Sequence, residues 1–196
     1  MFLTVNPFYI LPMSLVTGLS AEEFLARDDW PRGSQLIAGE VIVNQPALPH
    51  QLVLGRLHAR LLAWVEAEPG RGLTCLSVDL RMGPSDVYAP DLWWIREERR
   101  PPPGATALDG LPDLVAEVRS ASTWRYDTGR KRRMYEAGGV AELWLVDTKA
   151  PRVLAYRRST PSALTYGHPL EIAGDDPLAS PLLPGFGLPA AALFAI

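Results

Sequence analysis

Cysteine, lysine and histidine are all scarce in this sequence. Of its 196 residues one is cysteine, Cys75. That excludes a disulfide framework and a cysteine-based zinc site, and it suits a reducing, cytoplasmic setting. The three histidines, His50, His58 and His168, are too dispersed to form a zinc-binding pattern. Lysine occurs twice, at Lys131 and Lys149, so 17 of the 19 basic residues are arginine. The net charge of −3 excludes a molecule basic all over, and a nucleic-acid partner would need a local basic patch. Repeats and interdomain linkers are missing, and so is a spanning hydrophobic run. Met1–Ala21 is uncharged, but it lacks a basic start and is interrupted by Pro7, Pro12 and Gly18. Pro177–Ile196 is uncharged too, but it holds Pro177, Pro181, Pro184 and Pro189, which a membrane helix rarely tolerates.

What remains is ordinary globular composition: 47% hydrophobic and 21% charged, in a chain long enough to bury one core. Domain-like sequence begins just after Met13. Residues 1–12 are therefore expected to be an extension, with Met13 as the working start, and residues 13–196 one domain. Ser20 followed by Glu23 has capping-box spacing and predicts a short helix. Leu36–Val43 reads as a strand pair or one bent strand, with Gly39 at the bend. From Leu52 to Glu66 the residues Val53, Leu54, Leu57, Leu61, Trp64 and Val65 recur at helical spacing. Leu73–Leu80 and Asp86–Ile95 are β-rich runs separated by Gly83-Pro84, which suggests a hairpin. Leu114–Val118 is of strand length, and Thr123–Ala137 reads as a basic helix stopped by Gly138-Gly139. Leu143–Val146 and Val153–Tyr156 form a second hairpin-like pair. The Pro-rich tail is expected to pack as a loop with a terminal helical turn. This order predicts an α/β or α+β domain with a mixed central sheet.

Glu117 is the anomaly in that pattern. It interrupts Leu114-Val115-Ala116-Glu117-Val118, a strand otherwise wholly apolar, and a buried carboxylate needs a cation, a proton or a metal ion. Arg119, two residues on, is one candidate partner. Asp91 opens another apolar strand, so two adjacent strands could bring both carboxylates to one end of a sheet, where hard oxygen ligands hold Mg²⁺ or Mn²⁺. Asp113 is a poorer candidate, since four extended residues separate it from Glu117 by roughly 13 Å; it reads as a strand-start or turn residue. Between 119 and 133 the cations Arg119, Arg125, Arg130, Lys131, Arg132 and Arg133 face only Asp127, a local charge of +5. Such a stretch could hold phosphates. Trp93, Trp94, Trp124 and Trp144 are read as core packing.

Taken together, Pro90-Asp91, the segment Leu114–Thr123, Asp127 with Lys131 and Tyr135, and Gly139–Asp147 resemble the Uma-two restriction endonuclease family, a branch of the PD-(D/E)XK nuclease superfamily. Gly39-Glu40, His50 and Leu183-Pro184-Gly185-Phe186 extend the likeness from about Ser20 to the C-terminus. The resemblance implies a single restriction-endonuclease-like α/β domain with a mixed, curved β-sheet flanked by helices. It implies a site in which Asp91, Glu117 and the Val118 carbonyl ligate Mg²⁺ or Mn²⁺, with Glu40 as an additional acid. Lys131 would assist the attacking water; in the simplest superfamily pattern that lysine stands where Arg119 does here. Ala121 replaces the family's usual proline. A lysine suits this task because its pKa can fall when it is desolvated. His50 and the five arginines would approach the nucleic acid.

The expected function is metal-dependent endonucleolytic cleavage of DNA by a cytoplasmic homodimer with no membrane partner. The alternative is a catalytically inactive nuclease-fold protein that binds nucleic acid or serves as a dimeric assembly protein.

Overall fold

The structure, a computed structural model, describes residues 17–105, 108 and 110–195. The expected extension over residues 1–12 lies outside the described residues, as does Met13. Ser20 caps α1 (Ala21–Leu25) with the full capping box: Glu23 N–H donates to Ser20 Oγ, and Ser20 N–H donates to the Glu23 carboxylate. Next, β1 (Ser34–Ile37) and β2 (Glu40–Val43) form a hairpin, the first of the two readings of that segment. Its two turn residues, Ala38 and Gly39, both have positive φ, as a tight two-residue hairpin turn requires. The unusual backbone of Ala38 is held by its N–H bond to Asp86. The long helix α2 runs over Leu48–Ala67, four residues earlier than the apolar spacing alone indicates. Pro49 lies in its first turn, where the missing N–H costs nothing.

The two β-rich runs are each divided. The first becomes β3 (Leu73–Leu76) and β4 (Leu80–Gly83), the second β5 (Asp86–Tyr88) and β6 (Leu92–Ile95). Then come β7 (Leu114–Val118), a continuous helix of α3 (Trp124–Tyr126), a π-helical turn (Asp127–Lys131) and α4 (Arg132–Gly138), then β8 (Glu142–Asp147) and β9 (Arg152–Arg157). The tail contributes β10 (Leu170–Ala173), the short pair β11 (Pro177–Leu178) and β12 (Leu188–Pro189), and α5 (Ala191–Phe194). One sheet has the order β2-β1-β5-β4 and the other β10-β9-β8-β7-β6-β3. The second sheet is mixed, as expected: β7 and β8 are parallel and its other pairs antiparallel. The hairpin expected around Gly83-Pro84 is confined to β4 and β5, because both β-rich runs cross from one sheet to the other. In the second crossing Pro90 has no N–H to offer, and the neighbouring Ala89 N–H goes to the side chain of Gln35.

Strand alternation sorts the core around β7 into two layers, and a third cluster holds Phe24, Leu36, Val41 and Val87. Leu114, Ala116 and Val118 of β7 share one cluster with Trp144 of β8, Val53, Leu57 and Leu61 of α2, and Leu183, Phe186 and Leu193 of the tail. Val115 joins Leu143, Leu145, Tyr135, Tyr88, Ile37 and Ile42 on the other face. Glu117 follows the parity of Val115, so it points at the 124–138 helix. No described helix is long and apolar enough to cross a membrane.

Gly72, between α2 and β3, has φ +78°, and a Cβ there would collide with the Ile95 carbonyl. Gly72→Ala is expected to destabilise the protein by roughly 2 kcal/mol or more in denaturant unfolding, combining unfavourable φ with a backbone clash.

Candidate active site at the β6–β7 junction

The antiparallel register of β6 and β7 places Leu92 opposite Ala116; carried two residues further, it sets Val118 opposite Pro90. The peptide N–H of Val118 is taken instead by the Asp91 side chain, with Oδ2 at 2.8 Å. The same oxygen lies 3.1 Å from Nε2 of His50, a buried residue in the first turn of α2. Asp91 is thus fixed beside the peptide that follows Glu117. Its other oxygen, Oδ1, takes no donor among the described residues.

Glu117 is anchored from the opposite side. Tyr135 Oη donates to Glu117 Oε1 at 2.7 Å, and Lys131 Nζ lies 2.6 Å from the same atom. Lys131 also sits 3.1 Å from Asp127 Oδ1 and 5.8 Å above the Tyr88 ring. Asp127 is held in turn by Thr123 Oγ1 at 3.0 Å, and Thr123 bonds to Ser120. Asp127, Lys131 and Tyr135 are spaced by four residues and fall on one side of the helix across its π turn. Glu117, Asp127 and Lys131 are all essentially buried, at 2%, 1% and 1% exposure.

Two carboxylates, Glu117 and Asp127, therefore contact one ammonium, and Asp91 acts on it only electrostatically. Burial pushes the Glu117 carboxyl up to about 8; Lys131 opposes this, while Asp127 and Asp91 add to it. Asp127 is raised by burial and by Asp91 against the pull of Lys131. Lys131 moves the other way. Burial acts against its charge, but Glu117 and Asp127 outweigh it and hold the ammonium above its ordinary value. Desolvation alone would lower a lysine, but here it comes with two carboxylates in contact, and Lys131 is held above its ordinary value instead.

Several cations of the basic stretch pair within the protein. Arg119 pairs with Asp147 at 3.0 Å and stacks on Trp124, so it is not the partner of Glu117. Arg130 makes a bidentate clamp on Asp86, which also receives Tyr88 Oη and the Ala38 N–H. Burial alone would raise Asp86, but these donors hold it below its ordinary value. Lys131 is buried, and Arg132 lies 4.0 Å from Glu136 and over the Tyr156 ring. Only Arg125 and Arg133 of the six are exposed with no carboxylate partner among the described residues. The summed +5 overlooked acids 28 to 44 residues distant in sequence that fold onto these cations.

His50 is buried and bonded to Asp91, and it lines the same cleft as Asp91. Glu40 shares the face of Ile42 on β2, but no hydrogen bond or ion pair joins it to this cluster among the described residues. Asp113 is structural, as expected: it accepts from the Arg96 backbone and side chain and from Arg99. Trp144 and Trp94 are core residues, also as expected. The contributions of Tyr135 and Asp127 are signalled in the sequence by their four-residue spacing about Lys131, whereas those of Thr123 and Ser120 carry no such signal.

Among the described residues, no three His, Cys, Asp or Glu side chains converge as a ready-made metal cage. The donor chemistry nevertheless suits a hard cation. Asp91 and Glu117 flank one peptide, each has an oxygen without a protein donor among the described residues, and their surroundings carry surplus negative charge. A cleft of about 570 Å³ reaches Asp91 and His50, and Arg32, Asn44, Gln45 and Gln51 also line it.

The fold is a mixed α/β architecture of sheets flanked by helices. A solved structure from Anabaena variabilis ATCC 29413, described as that of "a putative nuclease belonging to DUF820", superposes with a TM-score of 0.77 at 18% identity, covering 90% of this chain and 98% of that one. The Uma2 family, described as "Putative restriction endonuclease", matches residues 21–191, and the chain belongs to it. No curated protein sequence matches the chain.

The raised Glu117 value sets a sign for stability against pH. A carboxyl that titrates near 4.3 when unfolded and near 8 when folded stabilises the fold fully below the first value and loses that contribution as pH rises through the second. Metal-free protein is expected to lose thermal stability between about pH 4.3 and 8, and Glu117→Gln to flatten that dependence. Equal pH slopes for the two proteins in melting experiments would contradict this.

Proposed function

We propose that the protein is a divalent-metal-dependent endonuclease that hydrolyses DNA phosphodiester bonds. The observation that carries this reading is the pair Asp91 and Glu117 on either side of the Val118 peptide, with the Lys131 ammonium 2.6 Å from Glu117. Asp91, Glu117 and the Val118 carbonyl would hold Mg²⁺ or Mn²⁺. Such an ion supplies charge stabilisation at the phosphoryl oxygens and lowers the pKa of a bound water.

The chain's own residues do the rest. Tyr135 and Lys131 hold one oxygen of Glu117, and Val118 N–H and His50 hold one oxygen of Asp91, so neither carboxylate has to reorganise during the reaction. Lys131 contributes a fixed positive charge next to the negative charge that grows on the scissile phosphate. Asp127 keeps that charge in place from the far side. A binding protein without catalysis is the weaker reading, because phosphate attraction alone would need a free cationic surface, and most of the arginines in the basic stretch are already paired. Homodimerisation would present two such sites to two strands.

The test is cleavage of single- and double-stranded DNA with each metal. Asp91→Ala and Glu117→Ala are expected to lower the rate by at least about a hundredfold. Undiminished cleavage in both variants would overturn the assignment.

A further inference from the structure

His50 is 3% exposed, and its one polar contact among the described residues is Asp91. An ionised carboxylate only accepts, so Nε2 carries the hydrogen that bridges to Asp91 Oδ2. The other ring nitrogen, Nδ1, is buried with no hydrogen-bond partner among the described residues. A histidine retained for stability would satisfy both nitrogens, because a buried polar atom left unpaired carries its desolvation cost uncompensated. An apolar side chain would fill this place in the first turn of α2 at lower cost. What the imidazole adds is a second donor to one particular oxygen.

That oxygen already receives the Val118 N–H from β7. Two donors from two different elements define the plane of the Asp91 carboxylate and use up Oδ2, leaving Oδ1 as the free atom. We propose that His50 is a positioning residue that holds Asp91 with Oδ1 available to a hard divalent cation. The inference rests on the metal-dependent reading above and extends it to a residue on α2, 41 positions away in sequence. Ligating carboxylates are commonly oriented by such outer hydrogen bonds, whose loss weakens metal affinity about 10- to 100-fold.

The experiment is calorimetric titration of Mn²⁺ into the full chain as wild type, His50→Leu and His50→Gln, with melting curves of each in the absence of metal. His50→Leu is expected to melt no lower than wild type and to bind Mn²⁺ about 10- to 100-fold more weakly. In His50→Gln the amide N–H can reach as far as Nε2, so affinity should return to within about threefold of wild type. Should the leucine variant not fold, His50→Asn, whose amide is too short to reach Asp91, replaces it in the comparison with His50→Gln. Unchanged affinity in the variant lacking the donor, or an equal loss in His50→Gln, overturns the positioning role while leaving the metal site standing. Wild-type protein that takes up no Mn²⁺ overturns the metal reading, and the role of His50 with it.

Discussion

Lys131 lies between Glu117 and Asp127 with almost no solvent around it, and much of the structure can be understood as what that burial requires. An unpaired ammonium or carboxylate at such a depth would be strongly destabilising, so the three groups must arrive together or not at all. The requirement couples β7 to the 124–138 helix, which do not pair through backbone hydrogen bonds. It is met by a helix that includes a π turn, by Tyr135 reaching Glu117, and by the Ser120–Thr123–Asp127 chain at the helix start. Arg130, next to Lys131, fastens the same helix to Asp86 in the four-stranded sheet. The site is therefore stitched to both sheets. Even so, burial outweighs the pull of Lys131 and pushes the Glu117 carboxyl up to about 8, with Asp127 and Asp91 adding to the rise. A bound divalent cation would relieve it.

The lopsided use of arginine and lysine acquires a structural meaning in this setting. Arginines serve as forks on buried or half-buried acids: Arg130 on Asp86, Arg119 on Asp147, Arg157 on Glu142, and Arg96 and Arg99 on Asp113. A planar guanidinium suits those bidentate and multi-acceptor roles. The one lysine in the interior occupies a place where a compact charge must touch two carboxylates approaching from different elements. A guanidinium there would need space for its plane and for donors left without partners. The scarcity of lysine thus goes with a protein in which ten of the 17 arginines lie within 4.0 Å of a carboxylate among the described residues.

Much of the fold was legible because it rests on local chemistry. The capping box at Ser20, the apolar stripe of α2, the glycine stop after the 124–138 helix and the β8–β9 pair all depend on neighbours within a few residues. The division of each β-rich run into two strands was not legible. Leu73–Leu80 and Asp86–Ile95 have the composition of continuous strands, and the break between sheets is decided by partners in β1 and β7. Leu170–Ala173 gave no signal because an edge strand with half its side chains exposed has neither alternation nor an apolar run.

For the site, a carboxylate inside an apolar strand pointed to Glu117 and, with it, to Asp91 at the start of another apolar strand, while Lys131 was singled out by the resemblance to the Uma-two family. The sequence by itself determined which residues could carry the chemistry, since burial patterns and side-chain identity are local properties. Only the tertiary structure decided their states: that His50 serves Asp91, that Arg119 and Arg130 are neutralised by Asp147 and Asp86, and that Lys131 keeps its proton. Those outcomes depend on electrostatic partners far apart in the chain. Coulombic interactions act across space at distances of a few ångströms, and separation along the sequence does not report them.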